Sequence, residues 1–82
     1  MFEEVKPFTK FKSAAGAEWV PVATLKGPDN AVCHVVNDSG SYVAYLNREN
    51  FGFFRTEYIF PELFDALVKL PNPANEVTDV AA

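Results

Sequence analysis

The sequence predicts an α+β domain: an antiparallel sheet of four to five strands in meander order, one C-terminal helix packed on one face, and a flexible acidic tail. Three observations carry this expectation. Short β-branched and aromatic runs recur between residues 18 and 60, separated by turn-forming clusters. Apolar spacing switches to a helical period at Pro61. Beyond Pro71 large apolar side chains become sparse and acids appear.

The opening residues 1–12, MFEEVKPFTKFK, place Phe2, Val5, Phe8 and Phe11 at a spacing of three, and Pro7 interrupts any helix there, so the segment is read as extended. Residues 13–17, SAAGA, are small enough for a turn. Residues 18–26, EWVPVATLK, have strand composition, with Pro21 marking an edge or a bulge because it cannot donate to a ladder. Gly27-Pro28-Asp29-Asn30 is a turn cluster leading into a strand at residues 31–37. Asn37-Asp38-Ser39-Gly40 is a second, followed by the alternating residues 41–47, SYVAYLN.

After the polar connection Arg48-Glu49-Asn50, residues 51–60, FGFFRTEYIF, read as a long aromatic strand with Gly52 as a bulge. Residues 61–70, PELFDALVKL, set Leu63, Phe64, Leu67, Val68 and Leu70 along one helical stripe. Pro61 suits the first helical position, Glu62 suits the positive N-terminal end, and Asp65 with Lys69 forms an i, i+4 pair on the other face. The helix ends at Pro71. Residues 1–70 are thus expected to form one domain and residues 71–82 an extended or disordered tail.

At 82 residues there is room for one core, and a chain of this size buries only roughly 60 to 65% of its unfolded surface. Cys33 is the lone cysteine, so no intrachain disulfide can compensate; self-association into a homodimer is a common remedy. The composition, 49% hydrophobic with eight Phe, is too rich in core-forming residues for a disordered chain. A lone thiol, with neither a signal peptide nor a membrane span at the N-terminus, gives the expectation of a cytoplasmic protein.

The net charge of -4 argues against a general binder of phosphate backbones. Residues 1–60 are close to neutral, and most of the excess acid follows residue 60 (Glu62, Asp65, Glu76 and Asp79 against Lys69).

No catalytic constellation emerges from the residues. Cys33 and His34 are adjacent, and adjacent strand residues point to opposite faces, so they cannot meet as a nucleophile pair. Two such ligands also fall short of a zinc set, so neither metal nor cofactor is expected. Glu3 with Glu4 reads as solvated, and Asp38-Ser39-Gly40-Ser41 reads as a turn. The glycines are scattered singly, without a phosphate loop. These absences lead to a non-enzymatic reading.

Alternation splits the aromatic strand into Phe51, Phe53, Arg55, Glu57 and Ile59 on one face and Phe54, Thr56, Tyr58 and Phe60 on the other. Both faces are apolar, while one helix can shelter only one of them. The second face must be covered by the N-terminal arm, by a second copy or by a partner. If the arm does not cover it, Phe51, Phe53 and Arg55, with Tyr42, Tyr45 and Arg48 nearby, form a candidate binding patch of aromatic and Arg residues.

The leading expectation is a small protein that docks on a larger host or cognate protein and inhibits or adapts it. Its profile is that of accessory proteins of phages and mobile elements, an analogy and nothing more. Single-stranded nucleic acid, stacked on the aromatic face, is the alternative partner. No membrane partner is expected.

Overall fold

A computed structural model describes residues 1–47, 52–56 and 58–70. Arg48, Phe51, Glu57 and the expected tail at residues 71–82 lie outside the described residues. The elements in chain order are β1 (Glu3–Val5), β2 (Phe11–Lys12), β3 (Glu18–Trp19), β4 (Ala23–Lys26), β5 (Val32–Asp38), β6 (Ser41–Asn47), β7 (Phe53–Thr56) and the helix α1 (Pro61–Lys69). Among the described residues, five strands form one antiparallel sheet in the order β1-β4-β5-β6-β7, and β2 pairs with β3 in a short separate ladder. The fold is α+β, as the sequence predicts.

The meander β4 to β7 follows from the turns. Gly27-Pro28-Asp29-Asn30 forms a 3-10 turn over Pro28–Asn30, with Asp29 and Asn30 at φ of 57° and 60°, a conformation that Asp and Asn tolerate better than most residues. At the β5–β6 hairpin Ser39 and Gly40 both have positive φ, the pairing that matches the right-handed twist of the two strands. The Asn37 side chain accepts the Gly40 N–H at 3.1 Å and closes that turn.

Three expectations are corrected. Pro21 lies neither on an edge strand nor in a bulge: it is buried in the break that separates β3 from β4, where no ladder needs its missing N–H. The long aromatic strand is described only over Phe53–Thr56, so the strict alternation expected up to residue 60 does not apply to Tyr58, Ile59 and Phe60. The buried stripe of α1 is Leu63 and Ala66, flanked by half-buried Leu67 and Leu70, while Phe64 and Val68 are exposed.

The helix sits where its two ends are tied. Pro61 occupies the first turn, and the Glu62 carboxylate accepts the Phe2 N–H at 3.0 Å. Lys69 reaches Glu4 of β1 at 3.6 Å, an exposed ion pair worth little by itself. Phe2 stacks on Phe60 with ring centroids 4.6 Å apart. A Cβ at Gly27 would meet the Phe2 ring at 2.9 Å, so glycine is what lets the ring lie there. The helix accordingly packs over β1 and β4. Its core unites Ala23, Leu25, Cys33, Val35, Ala44, Phe60, Leu63 and Ala66.

The opposite face is closed by the chain between β1 and β4. After β1 the backbone crosses beneath the sheet to β2, turns at residues 13–17, and returns through β3. Phe11, at 7% exposure, packs with Val36 and Val43 and with half-buried Trp19, Tyr45 and Phe53. The turn touches the far edge of the sheet, where the Ala14 N–H donates to the Phe53 carbonyl at 2.8 Å.

Candidate functional site

The expected binding residues do not form one surface. Register pairs Ala44 with Thr56, Leu46 with Phe54, Tyr45 with Arg55 and Asn47 with Phe53. Tyr42, Ala44, Leu46, Phe54 and Thr56 therefore share the helix side, and Tyr45, Phe53 and Arg55 share the other. Tyr45 and Phe53 are half-buried, their rings 5.7 Å and 5.1 Å from Phe11. Of the alternatives the sequence left open, cover by the N-terminal arm is the one found. Arg55 remains exposed on the edge strand, and Arg48 and Phe51 lie outside the described residues.

On that arm-covered face lies His34, fully buried. Its Nδ1 is 2.8 Å from the Thr24 hydroxyl, and the rings of Phe11, Phe8 and Phe53 stand 4.3, 4.8 and 4.8 Å away. Its Nε2, like the indole Nε1 of Trp19, is buried without a hydrogen-bond partner in the protein. Each such group costs roughly 1–3 kcal/mol relative to a paired one. Burial pushes the imidazole pKa down to about 4, since the charged form would lose its water.

Cys33, the adjacent residue, points into the helix-side core, and burial raises its thiol to about 12. The two side chains lie on opposite faces of the sheet, as strand geometry requires, and cannot act on each other.

The unsheltered surface is on the helix side instead. Because α1 packs over β1 and β4, the half of that face carried by β6 and β7 stays open. Between the helix and these strands runs a groove of about 170 Å³, lined by Tyr42, Ala44, Thr56, Ile59, Leu63 and Leu67 among others.

Helical spacing extends this surface onto α1. Glu62 and Lys69 point toward β1, where their partners are. At 100° per residue, Phe64 falls about 60° from groove-lining Leu67 on the side turned away from β1, while Val68 falls about 100° from it, on the outer face of the helix. Phe54, Ile59, Phe64 and Val68 are each more than half exposed, at 54%, 52%, 57% and 67%. Ile59 lines the groove, and Phe54 and Phe64 stand on the strand and the helix that flank it, a grouping that differs from singly scattered apolar side chains.

Sequence reasoning placed Phe64 and Val68 in the core and passed over Phe54 and Ile59. A signal for the first pair was present, since Ala66 on the alternative stripe lets the helix sit close to the sheet while larger residues do not. Among the described residues, no three His, Cys, Asp or Glu side chains gather as a metal would need, and no helix is long and apolar enough to cross a membrane. Comparison with protein-family models, with curated proteins and with solved structures gave no match, so the functional reading rests on the chain's own residues.

Proposed function

We propose that this chain is a non-enzymatic cytoplasmic binding protein that docks on a larger protein and inhibits or adapts it through the open helix-side surface. One observation carries the reading: a groove of about 170 Å³ opens between α1 and the strands β6 and β7, its lining residue Ile59 is exposed, and exposed Phe54 and Phe64 stand on the strand and the helix that flank it. That volume suits one benzene-sized ring. A partner chain inserting an aromatic or branched apolar side chain there would gain a desolvated anchor rimmed by further apolar contacts, the arrangement of binding hot spots. Tyr42 thus remains in the proposed surface, whereas Tyr45, Phe53 and Arg55, on the opposite face, leave it.

The test compares variants whose exposed positions should spare the fold. Phe64→Asp and Ile59→Asp are expected to abolish capture of a stoichiometric protein from the native host, while Val20→Asp, 69% exposed in the β3–β4 connection, retains it. Equal capture by all three variants removes the groove from the account. Salt-sensitive binding to single-stranded DNA without a protein partner moves the assignment to nucleic acid. A dimer in light scattering that Phe64→Asp dissociates would make a second copy the occupant.

A further inference from the structure

We infer that residues 8–19 are a strap that lifts from the sheet as a unit when His34 takes up a proton, uncovering an aromatic surface of Tyr45 and Phe53 beside the already exposed Arg55 while β4 to β7 and α1 stay folded. The strap is lightly held. Its own pairing is two residues against two, and its tip is tied to β7 through the Ala14 N–H and the Ser13–Phe53 bridge. The remaining hold is ring contact: Phe8 and Phe11 on His34, Phe11 on Phe53 and Tyr45, and Trp19 on Tyr45.

None of residues 6–22 belongs to the helix-side core, where the N-terminal contributor is Phe2. Release of the strap therefore leaves that core assembled. The turn at residues 27–31, the β5–β6 hairpin and the Glu62 bond to Phe2 are likewise made without it.

His34 is the contact a proton would break. It is enclosed by three phenyl rings, its Nδ1 faces Thr24, and its Nε2 faces no acceptor, so an imidazolium would hold an unanswered N–H in an apolar box. The charged groups around it do not help. The strap brings Lys10, already 3.5 Å from Glu18, and Lys12; β4 brings Lys26, whose ammonium lies 5.8 Å from the Phe8 ring; β6 brings the Tyr45 phenol; and β7 brings Arg55.

Of the carboxylates on this face, Glu18 is 3.5 Å from Lys10, Glu3 of β1 stands opposite Lys26, and Asp38 lies four residues along β5 at the hairpin; the remaining neighbours are cationic or neutral. The faces of Phe11 and Phe53 return only part of the lost hydration. Lifting the strap gives water to His34 Nε2 and to Trp19 Nε1 together. The surface uncovered, with Arg55 beside it, has the aromatic and Arg composition of a recognition patch.

The closed imidazole at about 4 against an ordinary 6.5 sets the scale. Opening is favoured by roughly 80-fold as pH falls from 6.5 to 4, because the open state binds the extra proton. The experiment is amide hydrogen exchange by NMR on the full chain, corrected for intrinsic pH dependence. Protection of the Ala14 amide should fall by about that factor while amides of the β5–β6 ladder keep theirs. His34→Gln, which keeps a bond to Thr24 without titrating, should abolish the fall.

Loss of β5–β6 protection in step with Ala14 overturns the proposal, as does the same decline in His34→Gln. If that variant fails to fold, the wild-type imidazole decides: a directly measured titration near 6.5 in the folded chain excludes the mechanism, and one near 4 with selective strap exchange upholds it.

Discussion

The two faces of the central sheet are closed differently. On one side a helix is seated by buried Leu63 and Ala66 over β1 and β4 and leaves the β6–β7 half bare; on the other a strap spans the sheet from edge to edge but is held mainly by rings. The helix side is firm and incomplete, while the strap side is complete and loosely fastened. Coverage and fastening are thus separate properties. A partner would meet the helix-side surface ready-made and the strap-side surface only after opening.

Cys33 and His34 report on the two sides from adjacent positions, and the largest expected effect uses the first of them. With its thiol raised from 9.0 to about 12 and its side chain fully buried, Cys33 should react with maleimide at pH 8 at least roughly a thousandfold more slowly in the native protein than in urea. The folded state prefers the neutral thiol, so this group's contribution to stability is present below pH 9 and is lost as pH rises toward 12. Labelling of native protein at a rate close to that in urea would mean that the helix side opens as readily as the strap, and the contrast between the faces would collapse.

Substitutions sharpen the contrast further. Leu63→Ala removes a fully buried side chain from beneath the helix and should lower global stability by about 3 kcal/mol in urea denaturation. Phe11→Ala removes the central ring of the strap, yet its cost is capped by the free energy of strap closure. A loss of roughly 2 kcal/mol is expected, below the usual range for an enclosed Phe. The measured order should be Leu63→Ala, then Phe11→Ala, with Phe64→Ala within about 0.5 kcal/mol of wild type. A larger loss for Phe11→Ala than for Leu63→Ala would make the strap part of the main core.

The same contrast explains what could be read from sequence. Turns and helix start were legible because local chemistry favours them: Ser39-Gly40 and Gly27 to Asn30 suit the positive φ values found there, and Pro61 with Glu62 suits the first turn of a helix. The division of Phe53 and Arg55 from Phe54 and Thr56 was legible from strand period.

Which of those faces would be sheltered was not legible. It depends on β1 joining β4, which fixes where the helix docks, and on Phe11 crossing beneath to His34, contacts between residues far apart in the chain. The helix stripe misled for a related reason: Leu63, Phe64, Leu67 and Val68 satisfy a helical period as well as Leu63, Ala66, Leu67 and Leu70 do. Tertiary docking over β1, through Glu62 and Lys69, selects the second set.

The smallest effect is a control for both faces. The β5–β6 hairpin carries the floor of the groove on one side and the ring platform of the strap on the other, so a change at its turn should shift both equally. Ser39 has a φ of 56°, a conformation Asn adopts more readily than Ser, and Gly40 at 92° already meets the demand of the second turn position. Ser39→Asn should therefore raise stability by a few tenths of a kcal/mol, visible as a thermal midpoint higher by about 1–3 °C. Neither Phe64-dependent capture nor the pH response of the Ala14 amide should change. A shift in one and not the other would mean that the hairpin is coupled to a single face, and the two surfaces could then no longer be treated as independent.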